Sequence, residues 1–167
     1  LQADASNLAS ALIGGVIFNL SNILLSASVS IAGMSVAFPL GVGLALVLGV
    51  FINYFNAPQG SPVFLFLGVL LVIVAIVFNA WAYKNMEKGG EQQKTKGIVI
   101  AIVAGIMMSF FFRFIASSMD VQNFECPEVG KMTPYTAMVI FSIGIFTSNF
   151  IFNTVAMRHP FVGTPTS

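Results

Sequence analysis

Uncharged polar side chains inside long apolar runs are the residues of this sequence that could do chemistry. Asn19, Asn22 and Ser26 stand at i, i+3 and i+7, so on a helix they share one face. An amide without a partner is costly in an apolar medium, so this face must meet other protein groups or a polar solute. Both interpretations stay open: hydrogen bonds between neighbouring helices, or a hydrogen-bonding wall along the path of a solute.

A second group of polar residues lies toward the C-terminal end of the sequence. Asn149 and Asn153 are four residues apart, which makes them neighbours on one helix face, and Ser148 directly precedes them. If the first group lines the path of a polar solute, this group is expected to line it as well.

Arg113 is the one charged residue inside the apolar runs. Its long side chain can snorkel to the membrane surface and keep the charged head in water. Alternatively it points inward, where it can bind an anionic or hydroxylated solute or stack on an aromatic ring. The aromatic residues that flank it are Phe110, Phe111, Phe112 and Phe114.

Enzymatic chemistry has little support in the sequence. The single histidine, His159, and the single cysteine, Cys126, form no cluster of metal ligands or nucleophiles. Neither a G-x-S-x-G nor an H-E-x-x-H motif occurs, and the apolar runs contain no acidic residue that could relay protons. We therefore expect a protein that is not an enzyme, with no catalytic residue, metal or cofactor.

The elements that must position these residues are membrane spans. Of the 167 residues, 57% are apolar and 8% are charged, whereas a typical soluble domain is about 25% charged. Seven basic and six acidic side chains cannot cover the surface of a soluble domain of this size. The formal net charge of +1 offers no electrostatic footprint for nucleic acid. The composition therefore indicates a chain that lies in the lipid bilayer.

Five apolar runs reach the length of about 20 residues that a membrane-spanning helix needs. None alternates with the period of two that marks a barrel strand, so the sequence predicts an all-α integral membrane protein with five transmembrane helices. The predicted spans are 8–28, 33–54, 62–83, 98–118 and 134–157. Pro62 and Pro134 suit the first turn of a helix, and Thr133 can cap the fifth span.

The second span has small residues at every fourth position, which places them in one stripe along the helix. Helices associate in lipid through close packing, and a stripe of small side chains allows it. We therefore predict a helix-packing face made of Gly33, Ala37, Gly41, Ala45 and Gly49. Pro39 interrupts the same span, either as a simple kink or as a break that lines the solute path.

Lysine placement indicates the orientation. Loop 84–97 carries four lysines, whereas loop 119–133 carries one lysine and three acidic residues. Cytoplasmic loops are enriched in Lys and Arg, so loop 84–97 is predicted to be cytoplasmic and loop 119–133 external. Arg158 and His159 then follow the fifth span on the cytoplasmic side.

Two adjacent spans carry motifs of a known transporter family. The first contains residues 14–22 (GGVIFNLSN), and the second contains residues 34–43 (MSVAFPLGVG). This helix pair resembles the glucose/ribose porter and ureide permease branch of the drug/metabolite transporter superfamily. The resemblance is strongest over residues 14–55.

The resemblance implies a bundle of ten helices in two inverted five-helix repeats, of which this chain is a fragment. Residues 1–83 would be the end of the first repeat, 84–97 the central cytoplasmic loop and 98–167 the start of the second repeat. It also implies a multi-pass permease of the inner (cell) membrane, which takes up a small polar metabolite by alternating access, often together with a proton. The implied solutes are sugars, ureides and nucleobases.

On this hypothesis the solute path is lined by Asn19, Asn22, Ser26, Pro39, Arg113, Ser148, Asn149 and Asn153. Two other functions stay open: a multidrug or metabolite exporter of the same superfamily, and a membrane scaffold that transports nothing. The expected partners are the lipid bilayer, a small polar solute and, where transport is coupled, H⁺. The oligomeric state is left open, a homodimer included.

Overall fold

A computed structural model of the chain describes residues 3–56, 60–86, 91–120, 123 and 126–159. The described part of the chain forms five α-helices, each long and apolar enough to cross a membrane. They are α1 Ala5–Ala32, α2 Met34–Asn56, α3 Pro62–Met86, α4 Glu91–Ser118 and α5 Pro134–Arg158. The five predicted spans are thereby confirmed, and the chain has the architecture of a multi-pass membrane protein.

The ends of the helices are set by prolines, a capping residue and polar helix-forming residues, which a hydropathy pattern does not show. Pro62 and Pro134 each begin a helix as predicted, and the side chain of Thr133 accepts a hydrogen bond from the backbone N–H of Thr136 at 3.3 Å. The predicted loop 84–97 is much shorter, because α3 continues to Met86 and α4 already begins at Glu91. The extra turns are rich in Glu, Gln and Lys, which are too polar for an apolar span but are good helix formers.

The centre of the bundle is the antiparallel pair α1 and α4, which pack on each other along their length. Helix α5 packs on α1 and runs parallel to it. Helix α2 packs on α4, and these two helices are parallel as well. Helix α3 packs on α2 and, among the described helices, contacts no other. Its mostly apolar side chains are exposed over most of its length, as expected for a helix that faces lipid.

At both ends of the bundle, hydrogen bonds to backbone carbonyls join neighbouring segments. At one end the amide of Asp4 donates to the carbonyl of Gly130 at 3.0 Å, and the amide of Met132 donates to the carbonyl of Ser118 at 3.0 Å. Met132 is 2% exposed and packs in the apolar cluster formed there by α1, α4 and α5. At the other end Ser28 Oγ donates to the carbonyl of Gly97 at 2.8 Å. Gly130 is thus docked on the N-terminal end of α1.

The predicted orientation can be tested with Cys126, the single cysteine of the chain, which is exposed in loop 119–133. We expect a membrane-impermeant maleimide to label Cys126 on intact cells, because the lysine-poor loop is predicted to be external. As a control, Cys126→Ser combined with His159→Cys places the thiol at the opposite end of α5, where labelling should require permeabilised cells. Labelling of the control variant on intact cells would contradict this orientation.

Candidate functional site

The small residues of α2 lie against α4. Ala37 is fully buried, and Gly41 and Ala45 are buried as well. A Cβ built on Gly41 would lie 2.5 Å from Leu25 Cδ1 and 3.4 Å from the carbonyl oxygen of Ala101. Gly33, by contrast, lies outside α2: it is exposed and links α1 to α2 with φ 83°, a conformation that glycine adopts at no steric cost. The predicted packing stripe is therefore corrected to begin at Ala37.

Helix α4 carries a matching stripe that the sequence analysis missed. Gly97, Ala101, Gly105 and Ser109 recur at every fourth position, and all four are buried. A Cβ built on Gly105 would lie 2.5 Å from the carbonyl oxygen of Gly41, so the backbones of α2 and α4 almost touch there. The same i+4 pattern that revealed the stripe of α2 would have revealed this one.

Helices α1 and α5 approach just as closely, and Asn19 joins them. A Cβ built on Gly15 would collide with the carbonyl oxygen of Phe141, and one built on Gly144 would collide with the carbonyl oxygen of Leu12. Asn19 Nδ2 donates to Ser148 Oγ at 2.9 Å, and both side chains are at least nine-tenths buried. The sequence allowed two interpretations of these polar residues, bonding between helices or contact with a solute. Asn19 and Ser148 form a hydrogen bond between helices.

Asn22 and Ser26 lie elsewhere, on a cavity between α1, α2 and α4. This narrow cavity has a volume of about 280 Å³. Asn22 Nδ2 donates to the carbonyl of Phe18 on its own helix at 2.9 Å, which leaves the amide oxygen of Asn22 free to meet a ligand. The narrow cavity is lined by Asn22, Leu25, Ser26, Val29, Phe38, Val42 and Met108.

A wider cavity adjoins the narrow one. Val42 and Met108 line both, and from there the wide cavity extends between α2, α4 and the start of α3, with a volume of about 560 Å³. Its polar residues are Asn53, Tyr54 and Ser109, none of which the sequence analysis singled out. The remaining lining residues are Val42, Ala45, Leu46, Gly49, Val50, Leu65, Met108, Phe111, Phe112 and Ala116. We call the two adjoining cavities the groove.

One wall of the groove is held by a cluster of aromatic rings. The ring centroid of Phe111 lies 4.9 Å from that of Phe18 and 6.0 Å from that of Phe141. Phe18 and Phe141 also contact each other, with centroids 5.5 Å apart. The three rings join α1, α4 and α5, so the side of the groove formed by Phe111 is tied to the most tightly packed part of the bundle.

The other predicted path residues do not line the groove. Asn149 and Asn153 are exposed on α5 and pair with each other, with Asn153 Nδ2 donating to Asn149 Oδ1 at 2.9 Å. Arg113 is exposed on α4, which is the arrangement that snorkelling requires. Pro39 is half-buried inside α2, one residue from Phe38 of the narrow cavity. The structure thus places Asn22 and Ser26 on the narrow cavity, whereas Asn19 and Ser148 meet at the contact between α1 and α5.

No protein-family model matches this chain, and no match was found among curated proteins or among solved structures. The family suggested by the sequence of α1 and α2 therefore stays a prediction.

Proposed function

We propose that the five helices belong to a secondary transporter and that the groove is part of its solute path. The observation that carries the proposal is the pair of adjoining cavities between α1, α2 and α4, with Asn22 and Ser26 on the narrow one. Solute sites of secondary transporters lie near the middle of the membrane between packed helices. The two cavities lie between packed helices, beside contacts close enough to require glycine, which supports the proposal.

The transporter we propose has ten helices in two inverted repeats and lies in the inner (cell) membrane. The resemblance of the α1–α2 pair supports this, together with the exposed amides of Asn149 and Asn153. Because amides are costly in hydrocarbon, the face of α5 that carries them is suited to contact further helices. The five described helices contain no acidic residue within the apolar spans, so a proton relay would use residues of other helices.

The solute class that follows from the resemblance is a small polar metabolite such as a sugar, a ureide or a nucleobase. An exporter of drugs or metabolites from the same superfamily would use the same groove. The second candidate function is a scaffold that transports nothing, and the Asn19–Ser148 hydrogen bond favours it, since this bond joins two helices.

Uptake into proteoliposomes tests the proposal with the full-length transporter that contains these helices. We expect uptake of at least one member of a radiolabelled panel of sugars, ureides and nucleobases. Asn22→Leu should lower the initial rate about tenfold, the cost of one hydrogen bond of about 1.4 kcal/mol to the solute. The melting temperature of this variant should stay close to that of the wild type, because the hydrogen bond that the substitution removes lies within α1 and joins no second helix.

Asn19→Leu is the matched comparison. It removes the hydrogen bond to Ser148, so it should lower the free energy of unfolding by about 0.6 kcal/mol and leave uptake at the level of the wild type. If no solute is taken up, and both substitutions change thermal stability alone, the scaffold is the correct function. If uptake occurs but Asn22→Leu has no effect on it, the groove is not the path.

A further inference from the structure

We propose that the wide cavity is a binding site for neutral molecules with an apolar body and two hydrogen-bond donors. The inference deepens the proposed function, on which it rests for its role as part of the solute path. If the inference is correct, polyhydroxylated molecules such as sugars do not fit the wide cavity. Binding at the cavity can nevertheless be measured without any transport.

The lining of the wide cavity sets the character of the ligand. Apart from Asn53, Tyr54 and Ser109 its side chains are apolar, so most of a ligand's surface must be apolar to replace water or lipid there. None of the described residues that line the cavity is charged. Arg113 lies on α4, which forms one wall, but it is not among the lining residues. A charged ligand would lose its hydration without gaining a counter-ion, which excludes it on energetic grounds.

Ser109 can offer only an acceptor to a ligand. It is 2% exposed, and its hydroxyl already donates to the carbonyl of Ile106 at 2.6 Å. A hydroxyl has one hydrogen, so Ser109 Oγ has only lone pairs left to offer. A ligand that reaches this buried oxygen must therefore bring an O–H or N–H group.

Asn53 supplies the second acceptor. Its Nδ2 donates to the carbonyl of Gly49 at 2.7 Å, which holds the amide against α2 and leaves Oδ1 without a partner among the described residues. A Cβ built on Gly49 would lie 4.0 Å from the carbonyl oxygen of Ser109, so these two residues lie at the same level of the bundle. Asn53 is four residues, about 6 Å, further along α2. The two acceptors therefore favour a ligand whose donors stand apart on a rigid body.

Tyr54 completes the polar end of the cavity. It lies two residues before the end of α2, and its hydroxyl has no hydrogen-bond partner among the residues that the structure describes. Its ring packs on Phe66 of α3, with centroids 5.6 Å apart. The wide cavity thus extends along α2 from Val42 to Tyr54, near the end of the helix.

Binding of a matched pair of naphthalenes tests this inference. The probes are 2,7-dihydroxynaphthalene, which has two donors on a flat apolar body, and 2,7-dimethoxynaphthalene, which has none. We would measure both by calorimetry with the protein in lipid nanodiscs and subtract the heat of protein-free nanodiscs. The diol should bind about tenfold more tightly than the dimethoxy compound, because it alone can pair with Ser109 and Asn53.

Variants of the two acceptors identify the cavity as the place of binding. Ser109→Ala and Asn53→Leu should each weaken the binding of the diol by about 2- to 13-fold, and neither should weaken the binding of the dimethoxy compound. Ser117→Ala and Asn79→Leu are the matched controls. Ser117 also donates to a carbonyl of α4 but is exposed, and Asn79 is an exposed amide on α3. Neither control should change the affinity of the diol.

Three results would overturn the inference. One is equal affinity for the two naphthalenes, which would indicate that the cavity takes any apolar body, lipid chains included. Another is binding of the diol that neither Ser109→Ala nor Asn53→Leu weakens, and the third is an equal loss in the control variants. Selective binding of the diol without uptake of any solute would instead support this site and contradict the proposed transport function.

Discussion

Replacing Gly15 by alanine is expected to lower the free energy of unfolding by about 1–3 kcal/mol, because it forces α5 away from α1. The added Cβ would collide with the carbonyl oxygen of Phe141 and lie 3.0 Å from the amide nitrogen of Ile145. Both are backbone atoms, so no rotation of a side chain can relieve the contact. The movement of α5 would also lengthen the hydrogen bond from Asn19 to Ser148.

Thermal unfolding in nanodiscs measures the effect, and Gly68→Ala on α3 is the control. A Cβ at Gly68 would meet nothing within 4 Å, so alanine there should stabilise the helix by about 0.5–1 kcal/mol through its better helix propensity. Gly144→Ala should behave like Gly15→Ala, since its Cβ would collide with the carbonyl oxygen of Leu12. Equal melting temperatures for Gly15→Ala and Gly68→Ala would show that α1 and α5 do not pack as described.

Replacing Gly49 by phenylalanine is expected to fill the wide cavity and to leave the packing of α2 on α4 in place. The Cβ would make an ordinary contact of 4.0 Å with the carbonyl oxygen of Ser109, and the ring would extend into the wide cavity that Gly49 lines. Solute uptake should fall more than tenfold, and the affinity of the wide cavity for the naphthalene diol should be lost, because the ring takes the volume that the solute needs.

Gly68→Phe is the control for this substitution as well. It places the same ring on the exposed side of α3, outside both cavities. Uptake rates and melting temperatures of both variants would be compared with those of the wild type. Wild-type uptake by Gly49→Phe, in a protein that melts normally, would show that the solute does not pass through the wide cavity.

The helices of this protein could be predicted from its sequence because the bilayer imposes their length and the prolines mark where they begin. Pro62 and Pro134 both stand at the first residue of a helix. The ends near 84–97 could not be predicted from hydropathy, since the polar turns that begin at Glu91 are helical for reasons of propensity.

The partners of each helix face were harder to predict. Asn19 and Asn22 were assigned to one face, yet Asn19 bonds to α5 while Asn22 lines the cavity toward α2. Residues three apart on a helix differ by about 60° in direction, and α1 lies between two neighbours, so this angle separates two different contacts. Asn53 was missed because an isolated polar residue carries no spacing pattern of its own, whereas Ser109 was missed together with the rest of the stripe of α4.

The hydrogen bond between Asn19 and Ser148 also sets an order for assembly during synthesis. Its two residues are separated by 129 positions in the chain. At about 5–20 residues per second, the ribosome needs roughly 6–26 s to make that stretch. Helix α1 can pack on α4 before then, but the amide of Asn19 and the surface around Gly15 wait for α5. The insertion of α5 is therefore the step that completes the packing around α1 among the five described helices.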